Sequence, residues 1–511
     1  MATDVLAAHA AHQPDKVLAV QGARRVTWGE FVAARNRLAH ALAARGLRRG
    51  DHVAVLALNS IENLLAGAGI RALGAVPVPV NHRLVADEVA YILDDSDAVA
   101  LFVGDAFLPT AQAARAASPR VRHVILMEAA RRDWGEPLAD LLAAGDPRAL
   151  PKEASPASGT GILYTSGTTG KPKGALRAAL DPAITRANME ALGVADPEQV
   201  HLLAGPLYHS APAAFTLYAM LAGGTVVVMP RFDAEEALGL IARHRCTTTF
   251  MAPTLLKRIV DLPTGERVGH DLSSLRSVVV AGAPCPMRVK EEILGWFGPV
   301  LVEFYGSTEL GVNTILGPDD MLLKPGSCGR AAPGVELAIL DDDGQPVPAG
   351  HPGELHVRRY GGTFDGYYKR PEATRENARG DWLSVGDVAY VDGDGFYFIC
   401  DRKRDMIISG GVNIYPAEIE DVLHRCPAVA DVAVFGVPDD EWGERVHAAV
   451  ELRPGSDLTA EDVIAFARAA MAGYKVPREI SFHSALPRDQ AGKLLKRALR
   501  DPHWAGRPGR V

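Results

Sequence analysis

Apolar residues recur at helical spacing in the middle of the chain and alternate there with short β-branched runs. Over residues 234–244 they form one face of a helix, and Asp233 can accept a hydrogen bond at its N-terminus. The runs at residues 225–229 and 247–250 predict a strand on each side, and residues 277–280 predict a further buried strand. Strand, helix and strand in succession are typical of a parallel sheet, whose carboxyl edge is where nucleotides bind.

The pattern changes in the second half of the chain. Glycine and proline interrupt short apolar runs over residues 325–371, which predicts a region of antiparallel strands. Five charged residues at 401–405 then precede a compact strand, helix and strand at 432–437, 462–471 and 479–483. This change predicts a domain boundary near the charged run.

We therefore expect an α/β fold in two domains. Residues 1–401 are predicted to form a large N-terminal domain of mixed or parallel sheets with helices, together with a β-rich subdomain. Residues 402–511 are predicted to form a small C-terminal α+β domain.

The composition narrows the class of protein. A hydrophobic content of 48% with 23% charged residues is that of a globular protein and excludes a disordered one. The net charge of -8 argues against a nucleic-acid partner. Five cysteines without a Cys-x-x-Cys pair argue against a disulfide framework or a zinc site. Without a secretory signal or an apolar run of about 18 residues, we expect a cytoplasmic protein with no membrane span.

The strongest chemical signal is the loop at residues 164–174, Tyr-Thr-Ser-Gly-Thr-Thr-Gly-Lys-Pro-Lys-Gly. Glycines let backbone N–H groups converge, hydroxyls donate to oxygens and lysines supply charge, so this mixture predicts phosphate binding. The P-loop of nucleotidases differs, because Ser or Thr follows its Gly-Lys whereas Pro172 stands here. A mobile Gly/Ser/Thr linker is the alternative. The candidate ATP-binding residues are Thr165, Ser166, Gly167, Thr168, Thr169, Gly170, Lys171 and Lys173.

This loop resembles the signature loop of the adenylate-forming superfamily, which includes the acyl-CoA synthetases, and the resemblance extends over essentially the whole chain. It implies an ATP-dependent acid–thiol ligase that uses ATP, Mg²⁺ and coenzyme A. In the first half-reaction a carboxylic acid and ATP would give an acyl-AMP and pyrophosphate. In the second, coenzyme A would accept the acyl group. The resemblance also implies that the C-terminal domain is mobile, with a hinge near Arg404.

A second motif, Glu-Phe-Tyr-Gly-Ser-Thr-Glu-Leu-Gly at residues 303–311, resembles the superfamily's Tyr-Gly-x-Thr-Glu. The resemblance implies that Tyr305 stacks on adenine and that Thr308 contacts the α-phosphate. It also implies that Glu309 and Thr168 hold Mg²⁺, a hard cation that prefers oxygen ligands. Further residues expected to bind the nucleotide are Gly306 and Ser307 of this motif and Gly282, Ala283 and Pro284 of a turn that resembles the one beside adenine.

The remaining nucleotide and coenzyme motifs fall around the predicted domain boundary. Asp387 resembles the aspartate that binds both ribose hydroxyls, although the family usually has Thr where this chain has Val385. Arg402 resembles a ribose-binding arginine. Gly410 and Gly411 resemble the glycines that let the backbone approach the pantetheine arm of coenzyme A. Without the resemblance, the charged run here would indicate only a solvated surface.

Lys493 resembles the catalytic lysine of the small domain. Its cation would bridge the attacking carboxylate and the α-phosphate, where a positive charge stabilises the transition state most. The resemblance implies that the small domain then rotates about Arg404, withdraws Lys493 and presents Gly410 and Gly411 to coenzyme A.

The sequence says least about the acid. His209 resembles the aromatic or histidine gate between the ATP and acyl pockets, and it is a candidate catalytic residue. Few charges occur near the predicted pocket, and no Arg or Lys stands out to hold a second carboxylate. We therefore expect an apolar monocarboxylic acid, either a medium or long fatty acid or an alicyclic or steroid-type acid, with an aromatic acid as the alternative. The candidate acyl-pocket residues are His209, Ser210, Met251, Ala281, Gly311 and Thr314.

Other interpretations stay open at the level of the sequence. An acyl-AMP ligase that loads a carrier protein would carry the same motifs, and so would a luciferase-like oxygenase. A catalytically inactive homologue that acts as a binding module is disfavoured, because Glu309 and Lys493 are both present. We expect a monomer or a homodimer.

Overall fold

The computed structural model describes residues 4–150, 161–165, 172–177, 181–267, 269–360, 364–403, 405–409, 412–439, 442–488 and 494–505, with only the backbone of Arg402 and Asn413. Several predicted functional residues lie outside the described residues: Ser166, Gly167, Thr168, Thr169, Gly170, Lys171, Arg404, Gly410, Gly411 and Lys493.

The described elements are as follows. The strands, in chain order, are β1 (Val17–Gln21), β2 (Arg24–Thr27), β3 (His52–Leu56), β4 (Val76–Pro79), β5 (Ala100–Val103), β6 (His123–Leu126), β7 (Glu136–Pro137), β8 (Ile162–Thr165), β9 (Lys173–Arg177), β10 (Val200–Leu203), β11 (Thr225–Val228), β12 (Thr248–Met251), β13 (Ser277–Val280), β14 (Leu301–Ser307), β15 (Gly311–Leu316), β16 (Arg330–Ala331), β17 (Leu337–Leu340), β18 (Gly353–Arg358), β19 (Phe364–Tyr367), β20 (Ala378–Arg379), β21 (Trp382–Leu383), β22 (Asp387–Val391), β23 (Tyr397–Arg402), β24 (Ile407–Ser409), β25 (Val412–Ile414), β26 (Val429–Asp439), β27 (Gly443–Leu452) and β28 (Glu479–His483). The helices are α1 (Val5–His12), α2 (Trp28–Ala44), α3 (Ile61–Leu73), α4 (Ala86–Asp95), α5 (Leu108–Ala116), α6 (Leu138–Ala144), α7 (Pro182–Ala191), α8 (Ser210–Ala222), α9 (Ala234–His244), α10 (Pro253–Val260), α11 (Thr264–Arg267), α12 (Met287–Phe297), α13 (Pro318–Met321), α14 (Pro371–Glu376), α15 (Pro416–His424), α16 (Ala460–Ala470) and α17 (Lys496–Trp504).

A mixed sheet forms the centre of the molecule. Within the described residues its order is β16-β15-β14-β13-β12-β10-β11-β1-β2, and the strands from β14 to β1 in this order run parallel. The predicted strand at 277–280 is confirmed as β13. The two strands predicted around α9 are β11 and β12, although β10 lies between them in the sheet. Asp233 caps α9 as predicted, because its carboxylate accepts from the Glu236 N–H.

Strand β13 shows how the central sheet separates two cores. Val278 and Val280 pack with Leu238 of α9 and Leu256 of α10 on one face. Val279 packs with another cluster on the opposite face, which also contains residues of α8. Successive side chains of a strand point to opposite faces, so the strand register decides which residues meet α8.

Smaller sheets surround this centre. A parallel sheet has the order β4-β3-β5-β6-β7. The β-rich region contains the path β20-β21-β18-β22-β23 with β17 on β18, and the three-stranded sheet β19-β9-β8. Strands β8 and β9 pair in antiparallel fashion up to Thr165 and Lys173, so the two ends of the predicted phosphate loop lie side by side.

The C-terminal part has a sheet of its own, with the order β25-β24-β27-β26 and β28 parallel to β27. Helices α15 and α16 cover its apolar face. The sequence pattern missed β27, which lies between the predicted strands at 432–437 and 479–483. Strand β23 pairs with β22 as far as Arg402, so the predicted boundary at 401/402 stays a prediction. None of the described helices combines the length and the apolar composition that a transmembrane segment needs.

Candidate functional site

A cavity of about 1320 Å³ lies between the carboxyl edge of the central sheet, the β8–β9 hairpin and α8. The tertiary structure thereby brings together predicted residues from distant parts of the chain. Those that line the cavity are Thr165, Lys173, His209, Ser210, Ala281, Gly282, Gly306, Ser307, Thr308, Glu309 and Gly311.

Glu309 supplies a buried carboxylate to this cavity, with 8% of its surface exposed. Its Oε1 accepts hydrogen bonds from Thr165 Oγ1 at 3.3 Å and from Tyr367 Oη at 2.9 Å. Thr165 ends β8 and Tyr367 ends β19, so the three-stranded sheet positions both donors. These bonds orient the carboxylate through one oxygen and leave Oε2 without a donor among the described residues.

Thr308 is held between two elements. Its Oγ1 lies 3.2 Å from the Oγ of Ser210, the first residue of α8. Its backbone carbonyl accepts from the guanidinium of Arg177, the last residue of β9. The hydroxyl and the backbone of Thr308 are thus held by two different elements, α8 and β9.

Tyr305 and Asp387 meet although they are 82 residues apart in the sequence. Tyr305 Oη donates to Asp387 Oδ2 at 2.5 Å, a short bond of the kind that a charged acceptor forms. Asp387 begins β22, where the backbone of Arg402 in β23 lies opposite it. The residues predicted to bind adenine and ribose therefore meet; their neighbours Gly306 and Gly386 line the cavity, whereas Tyr305 and Asp387 are not part of its lining.

His209 precedes α8 and lines the cavity. Its ring centroid lies 4.3 Å from that of Tyr208, which in turn contacts His82 edge-on at 5.0 Å. Burial, with the nearby charges of Arg83 and Arg231, lowers the pKa of His82 to about 4. The ring of His82, which supports His209 through Tyr208, is therefore uncharged at neutral pH.

Some predicted residues do not line the cavity. Met251 pairs in register with Val280, so it shares the face of Val280 and packs in the core below the sheet, whereas Ala281 faces the cavity. Thr314 is fully buried and donates to the Cys328 carbonyl at 2.6 Å. Of the turn at residues 282–284, Gly282 lines the cavity, whereas Ala283 and Pro284 are not part of its lining.

The sequence interpretation missed several residues that line the cavity. Arg177 is a charged residue at the end of an otherwise apolar run beside the phosphate loop, and this position is a signal that could have been noticed. Tyr360 Oη lies 3.2 Å from the Leu310 carbonyl oxygen and 3.1 Å from that of Val312 and shares its one proton between them, and burial raises its pKa to about 12. Tyr367 carries no local signal, because only the pairing of β19 with β9 brings it to Glu309.

Comparisons with known proteins agree with this geometry. Residues 6–368 match the family model of AMP-binding enzymes, and residues 418–493 match that of the AMP-binding enzyme C-terminal domain. The chain is 34% identical over 508 residues to the fatty acid–[acyl-carrier-protein] ligase ScoC of Streptomyces coeruleorubidus, covering 97% of this chain and 95% of that protein. It is 36% identical over 494 residues to the indoleacetate–CoA ligase of Aromatoleum aromaticum, covering 96% of each.

Solved structures lead to the same family. The anthranilate CoA ligase AuaEII, solved with anthranoyl-AMP, superimposes with a TM-score of 0.89 at 29% identity, covering 98% of this chain and 96% of that one. The predicted fold class and the predicted class of enzyme, an AMP-forming acid–thiol ligase, are confirmed. The chain belongs to the family of AMP-binding enzymes, within the adenylate-forming superfamily.

Proposed function

We propose that this enzyme is an ATP-dependent acyl-CoA synthetase whose acid substrate has a largely apolar body, either aliphatic or aromatic. One observation carries the proposal. The carboxylate of Glu309 lies in a cavity that continues past Ser210 along α8 into a mainly apolar region, and the bonded pair Tyr305–Asp387 is next in sequence to its lining residues Gly306 and Gly386. Polar groups suit the nucleotide, and the apolar region suits the body of the acid.

Tyr305 and Asp387 fit the nucleoside part of ATP. The ring of Tyr305 offers a face for adenine, and Asp387 offers a carboxylate for the ribose. A carboxylate has about four lone-pair sites, so Asp387 can accept from two ribose hydroxyls and keep its bond from Tyr305. Arg402, opposite Asp387 in the ladder, is our second candidate for the ribose.

Glu309 fits a Mg²⁺ ion. Magnesium is usually held by one or two carboxylates together with substrate phosphates and water, so a single oriented carboxylate is a sufficient contribution from this side of the cavity. We propose Glu309 and Thr168 as its protein ligands. When bound, the ion would offset the negative charge of the phosphates.

In the first half-reaction an oxygen of the acid's carboxylate attacks the α-phosphorus of ATP. The bond from that phosphorus to the pyrophosphate oxygen breaks, and acyl-AMP and pyrophosphate result. Thr308, held by Ser210, is placed to donate to an α-phosphate oxygen. Arg488 and Leu495 flank residues 489–493 and line the cavity, which supports a role for Lys493 in this step.

In the second half-reaction the sulfur of coenzyme A attacks the acyl carbon. The bond from that carbon to AMP breaks, and the thiol proton passes to solvent. We propose that the small domain turns about Arg404 so that Gly410 and Gly411 face the pantetheine arm. Lys403 forms polar contacts to Asp342 at 2.6 Å and Glu354 at 3.3 Å. Such exposed contacts exchange with water at little cost, which suits a rotating domain.

The test is a pyrophosphate-release assay over acids of graded length and ring content, with acyl-CoA measured in parallel. We expect both products in equal amounts. Lys493→Ala should abolish pyrophosphate release and largely retain thioester formation from preformed acyl-AMP. Pyrophosphate release without acyl-CoA would contradict coenzyme A as acceptor, and equal loss of both half-reactions would contradict the rotation.

A second candidate function is the loading of an acyl carrier protein. The similarity to ScoC, which is named as such a ligase, favours it. Competition between coenzyme A and a phosphopantetheinylated carrier protein for one acyl-AMP separates the two. A higher kcat/KM for the carrier would replace the proposed acceptor and leave the adenylation step unchanged.

We further propose a cytoplasmic enzyme that is a monomer or a homodimer. The free thiols of all five cysteines support a reducing compartment. Cell fractionation and light scattering on the purified protein test these two points.

A further inference from the structure

Arg177 places a cation at the acyl end of the cavity, by which we mean the mainly apolar region that continues past Ser210 along α8. It ends β9, and the part of its side chain that is not buried faces the cavity that it lines. A guanidinium has five N–H donors. In the described part of the chain, its only hydrogen bond goes to the Thr308 carbonyl, and no carboxylate forms an ion pair with it. Most of its donors are thus available to a ligand.

The groups around Arg177 do not neutralise it. The neighbouring core cluster contains Phe215, Phe304 and Val312, with the phenols of Tyr218 and Tyr360 nearby. Burial lowers the pKa of Arg177, while both phenols and the Glu309 carboxylate act in the opposite direction. Arginine nevertheless stays protonated in proteins. A buried cation that only stabilised the fold would need a paired anion, because its desolvation costs several kcal/mol.

Asn188 is an independent sign of a ligand in this cavity. It lies on α7, where Ile184, Thr185 and Asn188 face the cavity at helical spacing. Its side chain is only 4% exposed, and its Oδ1 has no hydrogen-bond partner among the described residues. A buried amide oxygen without a partner costs free energy that an N–H or O–H donor on a ligand would offset, so Asn188 indicates a polar ligand in the cavity and not the acceptor at Arg177.

Arg177 lies where the reacting end of the cavity meets the acyl region, because it bonds to the Thr308 backbone and lines the cavity. Ser210 and Thr308 mark the reacting end. On one side the guanidinium bonds to the Thr308 carbonyl. On the other side the cavity continues to Tyr218, eight residues beyond Ser210 on α8, or about 12 Å at the rise of an α-helix. The guanidinium therefore lies between the reacting end and the deeper part of the acyl region.

We propose that Arg177 binds an oxygen acceptor on the acid beyond the reacting carboxylate, so that the preferred substrate has an apolar body that carries a distal carboxylate or carbonyl oxygen. The inference rests on the proposed function, since it concerns the acid that this enzyme adenylates. An arginine fork matches a carboxylate with two parallel bonds and a carbonyl with one. A site built for such an acceptor rejects an acid that lacks it, because its donors would be left unpaired.

The experiment compares three series of acids of equal length in the pyrophosphate-release assay. They are dicarboxylic acids from succinic to suberic acid, ω-1 keto acids, and plain monocarboxylic acids. At the best length we expect the wild-type enzyme to prefer an acceptor-bearing acid over the plain acid by about 10- to 100-fold in kcat/KM, the range of a hydrogen bond to a charged group. A dicarboxylic preference identifies an anionic acceptor, and a keto preference an uncharged one.

Arg177→Met then tests the residue. The loss for the preferred acid should exceed the loss for the plain acid by at least about tenfold, mainly in KM, and Arg177→Lys should keep part of the preference. Arg186→Met, an exposed arginine on α7, is the control and should leave the preference unchanged. Thermal unfolding with and without ATP checks that each variant folds.

Two results would overturn the inference. One is a wild-type preference for the plain acid at every length, which needs no variant to observe. The other is an equal loss for all acids in Arg177→Met, which would place Arg177 at the reacting carboxylate or in the scaffold. If no acid of any series releases pyrophosphate, the proposed function itself fails, and this outcome is distinct from both.

Discussion

The two ends of the cavity are built on different principles. At the nucleotide end, polar side chains bind one another: Glu309 accepts from Thr165 and Tyr367, and Tyr305 donates to Asp387. At the acyl end, aromatic and aliphatic side chains surround a cation whose described hydrogen bond goes to the backbone. ATP is the same in every turnover, so its end can be organised in advance. The acyl end must discriminate between acids, and we propose that it does so through donors that only an acceptor-bearing acid satisfies.

The comparison predicts that substitutions at the nucleotide end affect all acids alike, whereas substitutions at the acyl end depend on the acid. The largest effect is expected for Glu309→Gln. The amide keeps the shape but removes the negative charge that we assign to the metal, so kcat for pyrophosphate release should fall about 100- to 1000-fold. Glu372→Gln, an exposed acid on α14, is the matched control. A loss that differs more than tenfold between a short acid and an aromatic acid would break the comparison.

The next effect in size is expected for Asp387→Asn. The amide accepts more weakly from the ribose hydroxyls and from Tyr305, so KM for ATP should rise about tenfold or more while kcat changes less. ATP titrations at saturating acid measure it, with the exposed Asp381→Asn as the control. Dependence of the ATP effect on the identity of the acid would show that the two ends are coupled.

Gly311→Ala sharpens the comparison from the acyl end. Gly311 has φ of 74°, and an added Cβ would approach Tyr360 Oη to 2.8 Å. We expect about tenfold lower kcat/KM for bulky acids and a smaller loss for short ones. Gly317→Ala, just beyond the same strand, adds a Cβ in open space and serves as the control. Equal losses for short and bulky acids would mean that the substitution disturbs the nucleotide end instead.

The smallest effect is expected for Tyr218→Phe. Burial raises the pKa of Tyr218, so the phenol stays neutral and contributes one polar group near Arg177. Removal of the hydroxyl should change the ratio of kcat/KM between acceptor-bearing and plain acids about threefold. This change should not depend on pH between about 6 and 9, because even an ordinary tyrosine stays neutral in roughly that range. Tyr474→Phe, at an exposed position, is the control. A change in KM for ATP of similar size would contradict the assignment of Tyr218 to the acyl end.

The sequence was informative where chemistry is encoded locally. The order of glycines, hydroxyls and lysines at residues 164–174 predicted phosphate binding, and the run containing Tyr305, Thr308 and Glu309 predicted the neighbouring groups. The structure brings Thr165 and Lys173 of the first motif and Thr308 and Glu309 of the second around one cavity. Their roles toward ATP and Mg²⁺ stay predictions.

The sequence was weakest where position depends on the face of a strand. Met251 was predicted to lie in the acyl pocket, yet its pairing with Val280 turns its side chain into the core below the sheet. Thr314 was predicted there too, but it is fully buried and donates to the Cys328 carbonyl. No Arg or Lys was expected near the acid, yet Arg177 lines the cavity.

By itself the sequence determined the family and the succession of strands and helices in the middle of the chain, and it predicted the chemistry at the nucleotide end, because all three depend on residue types at short spacing. Only the tertiary structure decided that Tyr367 orients Glu309, that Tyr305 meets Asp387, and that Arg177 lines the cavity. These relations depend on strand pairing, and a shift of one residue in register turns a side chain to the opposite face of its sheet.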